Sequence, residues 1–416
     1  MIKIVAESEY SHKRREIASP DVSDTVREII ADVKSRGDQA LRDYALKFDG
    51  IELDAIEVTQ EEISGAVETV GEKYMDILQH SAHNIREFHR RQLHEGFMYS
   101  PEQGIILGQR VIPLQRVGLY VPGGTASYPS SVLMNAIPAK IAGCNEIIIT
   151  TPKPSSQIMA AAFVAGVTRI FRTGGAQAIA ALAYGTESIP RVDKITGPGN
   201  AYVAEAKRQV FGQVAIDMIA GPSEILIIAD KNNYPAHIAA DMLAQAEHDP
   251  SATAILITNS KRFAVSVSSE LEVQISKLPR KDIARSSIDN NGVIILAKNI
   301  YNAADIANDI APEHLELCVD NPFEYMTRIR NAGSIFIGRN SPEALGDYYA
   351  GANHTLPTMG TAKFSSPLSV DDFVKKSQYI YYSEGRLYEA SRKIEGFAES
   401  EGLSGHARSI SIRRDS

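Results

Sequence analysis

No stretch of this 416-residue chain is uninterruptedly apolar over the roughly 20 residues a helix needs to cross a bilayer, so a membrane span is not expected. The opening MIKIVAESEYSHKRRE becomes charged too early for a secretory signal, which points to a cytoplasmic protein. Cysteine is nearly missing: Cys144 and Cys318 stand alone, in segments that read as a helix end and a strand. A disulfide framework and a thiolate zinc site are thereby excluded, and buried free thiols remain. Basic runs are lacking too. The chain carries 43 Lys and Arg against 51 Asp and Glu, a net charge of -8, with no cluster long enough to follow a phosphate backbone, so nucleic acid is not an expected partner. What is present is ordinary for a globular protein: 44% apolar and 23% charged residues, over a length that suggests two to three domains.

Residues 22–47 and 60–98 carry apolar positions at three- and four-residue spacing among many charges, and predict an all-helical N-terminal portion. The histidines of the second run, His80, His83, His89 and His94, have no acids on a common stripe and read as a solvated surface rather than a metal site. At Val117 the pattern changes. VGLYVPGG reads as a strand entering a glycine-rich turn, SSVLMNAIPAKIAG as a helix and EIIITTP as an apolar strand, and the alternation continues through TRIFRT and KITGPGN. A second series runs from SEILIIAD through ATAILIT and GVIILA to GSIFIG at 333–338. Continuous apolar strands between helices predict parallel sheets covered on both faces. The two series share no evident sequence repeat. The tail beyond residue 370 reads as helical and charged, too poor in apolar residues for a core of its own, and should dock on this subunit or on another.

Four glycine-rich turns recur: YVPGG at 120–124, TGGAQ at 173–177, TGPGN at 196–200 and AGPSE at 220–224. Turns that open helices after parallel strands present backbone amides to ligands. None is the dinucleotide fingerprint, since Tyr202 stands where its third glycine belongs. Together the turns offer Tyr120, Gln177, Asn200 and Ser223 to a polar cleft.

Three further segments carry chemistry. In AADMLAQAEHDP, Gln245 and His248 lie three apart on one helical face, which suits half a metal site, although taken alone the stretch reads first as a helix end capped by its own side chains. In APEHLEL, Pro312 ends a helix and the pair Glu313 and His314 is expected on a loop, either as a general base or as a plain surface pair. Asp347 is expected near the end of a short helix, with His354 in the turn that follows, and the tail offers Glu401 and His406. Gln245, His248, Asp347 and His406 would suit a borderline cation such as zinc, although no spacing rule assembles them.

The blocks VGLYVPGGTASYPSSVLMNAIPAKIAG, TGGAQAIAALAYGT, KITGPGNAYV, IDMIAGPSEILIIAD, QAEHDP, APEHLEL and GDYYAGANHTLP with FSSPLSVDDF resemble the histidinol dehydrogenase family, in order and over nearly the full chain. The resemblance implies NAD-dependent four-electron oxidation of L-histidinol to L-histidine through an aldehyde. It implies Glu313 and His314 as the catalytic pair, and Gln245, His248, Asp347 and His406 as ligands of one Zn2+ per subunit. Tyr120, Gln177 and Asn200 resemble NAD contacts; Ser223 and Glu401 resemble substrate contacts, alongside His314 and the metal ligands. The implied fold is α/β, with two Rossmann-like, incomplete, doubly wound domains, one inserted in the other, plus N-terminal helices and a small helical C-terminal tail domain. Its segments are 15–119 with 225–368, the insert 120–224 and the tail 369–416, and the tail is exchanged between the subunits of a homodimer. A sibling dehydrogenase of the same fold acting on another small alcohol, a zinc hydrolase and a non-catalytic NAD-binding regulator are the rivals.

Overall fold

The computed structural model describes residues 2–11, 22–123 and 128–415. Gly124, the last residue of the first glycine-rich turn, lies outside them, as does position 15, where the first expected domain begins. The strands are β1 (Lys3–Ala6), β2 (Phe97–Tyr99), β3 (Ile105–Pro113), β4 (Arg116–Tyr120), β5 (Glu146–Thr150), β6 (Arg169–Phe171), β7 (Lys194–Thr196), β8 (Ala215–Ile216), β9 (Glu224–Ala229), β10 (Thr253–Thr258), β11 (Val293–Leu296), β12 (His314–Cys318), β13 (Ser334–Ile337) and β14 (Val374–Tyr382). The chain divides into two compact units. The larger comprises residues 1–92 with 114–373, and the smaller 93–113 with 374–416.

The larger unit holds two parallel sheets, ordered β1-β11-β10-β9-β12-β13 and β6-β5-β4-β7-β8. Their central strands are almost wholly apolar because both faces are covered. Ile225 to Ala229 and Ile147 to Ile149 are buried, and helix Pro235–Ala246 packs Ile238, Met242 and Leu243 against the first sheet. Each sheet reverses its winding once, between β9 and β12 in one and between β4 and β7 in the other. In open α/β sheets such a reversal leaves a crevice at the carboxyl ends of the strands. The two crevices are treated differently. In the five-stranded sheet the turn after β7 opens there with Gly197 at φ +110, where an added Cβ would strike the Tyr120 backbone oxygen. In the six-stranded sheet the same position is filled by side chains: Arg339 binds Asp230 and Asp320, and the Asn233 amide donates to the Cys318 carbonyl (2.6 Å). Ligand access to that sheet is therefore from the amino ends of its strands.

Four expectations are corrected here. The N-terminal portion is not all helical, because Lys3–Ala6 forms the edge strand β1 and pairs with β11. Four residues followed by charge have no periodic signature, and the partner lies far along the sequence. The long helix starts as expected, with the Thr59 and Glu62 capping box, but ends at Arg90 rather than 98, and Phe97–Tyr99 is a strand. His89 is not a surface residue. It is fully buried, with Nδ1 2.7 Å from the Gln92 amide oxygen and burial holding its pKa below the usual range, whereas His80, His83 and His94 are exposed as read. The tail is not purely helical either: in the smaller unit β14 pairs antiparallel with β3 over nine residues, β3 also pairs with β2, and helices Glu384–Ser400 and Ser404–Arg414 follow β14. Strand β14 opens with exposed Lys375, Lys376 and Gln378, and its Tyr379–Tyr382 stretch is not core, so neither marks it as a buried strand.

A buried ion pair braces the five-stranded sheet. The Lys207 ammonium contacts the Asp217 carboxylate and donates to the Gly197 carbonyl (3.0 Å), while Asp217 accepts the Gly197 N–H (2.8 Å). Both side chains are almost fully shielded. Lys207→Ala leaves a buried carboxylate without its cation, and is expected to cost about 3–5 kcal/mol, read as a lowered urea midpoint. A midpoint unchanged from wild type would show that water reaches the site.

Candidate active site

One cavity of about 1080 Å³ lies in the larger unit. Its wall takes Pro122 and Gly197–Asn200 from the carboxyl ends of the five-stranded sheet, and Ser223, Glu313 and His314 from the amino ends of β9 and β12. Gln245 and His248 come from the end of helix Pro235–Ala246, and Glu343 and Asp347 from the short helical segment after β13. Asp217 also lines the cavity, so the ion pair with Lys207 stiffens its wall.

Glu313 lies on the bend before β12, as a loop residue, but His314 does not. His314 is the first residue of β12, an interior strand hydrogen-bonded to β9 and β13, and both side chains are buried. The His314 Nδ1 lies 3.1 Å from the Glu224 carbonyl. A carbonyl only accepts, so Nδ1 carries a proton and donates it there. Nε2 is left buried without a hydrogen-bond partner, 3.6 Å from an Asp347 oxygen. Burial alone would depress this imidazole, but Glu343, Glu313 and Asp347 outweigh it and raise it to about 10. Glu313 accepts the Glu224 N–H (2.9 Å), yet desolvation lifts its carboxyl to about 7, near the range suited to a general base at neutral pH.

The side chains of His314, Glu343 and Asp347 bring potential ligand atoms within 4.8 Å of one another. Burial pushes Glu343 up to about 8. It would raise Asp347 as well, but the nearby His314 ring and the fields of His354 and His248 hold that carboxyl below its ordinary value. The His354 Nδ1 donates to the Asp347 carbonyl (3.1 Å), and burial lowers this ring's pKa. Gln245 is fully buried, and with its amide turned so that the nitrogen faces acceptors, it donates to both Glu343 oxygens, one of them at 3.0 Å. His248 opens to solvent at the cavity rim. The packing around the rest of its ring still lowers its pKa, against the pull of Asp347.

Of the expected site residues, Ser223, Gln245, His248, Glu313, His314, Asp347 and Asn200 thus share one cavity. Asn200 is exposed and caps helix Ala201–Val210, its side-chain oxygen accepting the Tyr202 and Val203 N–H groups. Tyr120 and Gln177 are buried and are not among the lining residues; the Tyr120 hydroxyl accepts the Gly175 N–H (3.2 Å). Glu401 and His406 belong to the smaller unit, where both are exposed. Glu343 was missed from sequence, although it stands four residues before Asp347, a spacing that puts two acids on one helical face.

Parallel α/β sheets around a buried imidazole set among carboxylates define an α/β enzyme with an acid–base centre able to take a cation. A family model described as histidinol dehydrogenase matches residues 12–414. Among similar proteins, the histidinol dehydrogenase of Syntrophotalea carbinolica is 56% identical over 406 residues, covering 96% of this chain and 94% of its own. That of Aquifex aeolicus is 49% identical over 409 residues, covering 98% and 96%. The crystal structure of histidinol dehydrogenase from Elizabethkingia anophelis superposes with a TM-score of 0.91 at 36% identity, over 99% of this chain and 98% of that one. The chain belongs to the histidinol dehydrogenase family and is an oxidoreductase.

Proposed function

We propose that this enzyme oxidises L-histidinol to L-histidine through the aldehyde, using NAD, as the closing steps of histidine synthesis in the cytoplasm. Among the described residues no helix is long and apolar enough to cross a membrane. The observation that carries the reading is the His314 Nε2, a buried ring nitrogen without a partner at the wall of a cavity shared with Glu313. Nδ1 is tied to the Glu224 carbonyl, so Nε2 is the atom that takes the substrate hydroxyl proton as hydride leaves the same carbon. Glu313 then removes a proton from the water that adds to the aldehyde, and the hydrate gives up a second hydride. The net change consumes one water and two NAD for each histidinol. Asn200, with Tyr120 and Gln177 from the neighbouring turns, is proposed to hold NAD, and Ser223 and Glu401 to contact substrate.

The donor set fits a cation. Gln245 offers a neutral oxygen, His248 an imidazole with depressed pKa and Asp347 a carboxylate held ionised, and His406 is the proposed fourth ligand of one zinc per subunit. When bound there, zinc would orient the amino alcohol and oppose the field of Glu343, Glu313 and Asp347 that raises His314, bringing that imidazole back toward a proton acceptor. We take the active form as a homodimer with exchanged tails, in a chain organised as 15–119 with 225–368, insert 120–224 and tail 369–416. Exposed Phe397, Tyr388 and Ile380 in the tail support that assembly, since a monomer would leave this apolar surface wet.

The test is stoichiometric. With purified protein, L-histidinol and excess NAD, about two NADH should form per histidine. A product that stops at the aldehyde with about one, or no NADH at all, would sink the proposal.

A further inference from the structure

We propose that Glu343 is a positioning residue for the metal site: its buried carboxylate grips the Gln245 carboxamide by the nitrogen end, so that the carbonyl oxygen is the atom presented for coordination. This rests on the reading of Gln245 as a ligand. A carboxamide has two ends of nearly equal shape, and only the oxygen end has lone pairs for a cation. Left free, the group could turn either end to the site. With a cation in the site, whose charge favours the ionised form, the carboxylate only accepts, so it selects the NH2 end. With the amide turned in that sense its NH2 group reaches both Glu343 oxygens, whereas the opposite orientation would set its oxygen against them, and Gln245 is fully buried, which leaves little water to compete for it.

Glu343 is itself held in place. It is buried, and its backbone N–H donates to the Glu316 carboxylate at 2.8 Å. Glu316 is wholly buried on β12, two residues after His314, and also takes a contact from the Cys318 thiol. The Glu343 carboxylate further lies 3.8 Å from the His314 Nδ1. One side chain thus faces both a proposed ligand and the proposed base, and an interior strand fixes it at its root. Carboxylates that orient metal ligands from behind typically account for about 10–100-fold in metal affinity.

The test is a double-mutant cycle on zinc affinity in the full-length protein, measured by competition with a chelating dye. The set is wild type, Glu343→Gln, Gln245→Ala and the two combined, with thermal melting to verify folding. Glu343→Gln is expected to weaken zinc about 10–100-fold. The double variant is expected to bind no more weakly than Gln245→Ala alone, because Glu343 has nothing left to orient. Wild-type affinity in Glu343→Gln would overturn the proposal. So would losses that multiply in the double variant, which would make Glu343 a ligand in its own right. If Gln245→Ala keeps wild-type affinity, or wild type binds no zinc, the metal-site reading fails instead. Should Glu343→Gln not fold, the same comparisons are made with Glu343→Asp, whose shorter side chain withdraws the acceptor.

Discussion

Glu313→Gln is expected to keep its zinc and to release close to one NADH per histidinol, with aldehyde accumulating in place of histidine. The substitution is nearly isosteric; it removes the ability to take up a proton and one of the charges that raise His314, which leaves that imidazole a readier acceptor. Glu313 is buried and accepts the Glu224 N–H, and the amide oxygen of glutamine can accept it too, so the local backbone has no reason to move. Proton removal from the first alcohol falls to His314, whose Nε2 is untouched. Hydration of the aldehyde loses its base, and a positioned general base is worth about 10²–10⁴ in rate. The second oxidation should therefore slow by that factor while the first changes little. Single-turnover measurements on histidinol and on the aldehyde, taken separately, distinguish the two. Equal slowing of both would assign Glu313 to substrate binding rather than to water.

His248→Ala is the second large effect: bound zinc and histidinol oxidation should disappear together. His248 sits at the cavity rim, within the field of Asp347, and its depressed pKa keeps the ring neutral and ready to donate its lone pair to a cation. Removing a ligand should lower affinity by more than the roughly 10–100-fold of a residue that acts only from behind one. Because the ring is partly open to solvent, its loss leaves no dry cavity, and the apoprotein should melt near the wild-type temperature. Elemental analysis after gel filtration is the direct measurement. A full complement of zinc in the variant would refute the ligand assignment and turn attention to His314, Glu343 and Asp347, whose ligand atoms already converge.

How much of this was readable in advance follows from the range of each interaction. The buried strands β5, β9 and β10 announced themselves as apolar runs because each is covered on both faces. β1 and the β3–β14 ribbon did not, since each is defined by a partner more than 250 residues away. His89 looked like one more polar position on a charged helix. Its ring meets Gln92, three residues on, but also Asn353, which only folding brings in from 264 residues away.

The site divides the same way. By itself the sequence determined the residue types at the centre: the Glu313 and His314 pair, the Gln245 and His248 helix end, Asp347, and the glycines that let turns approach closely. It also carried the family, because long blocks of residues in a preserved order are local information. Tertiary structure alone decided what those residues can do. Pairing on both sides of β12 buried Glu313 and His314 and moved their pKa values, and filling one switch point with Arg339 and Asp230 left the amino ends of the six-stranded sheet to meet the carboxyl ends of the other. Burial, field and ligand convergence are properties of neighbours in space, and a linear sequence specifies them only once the chain has folded.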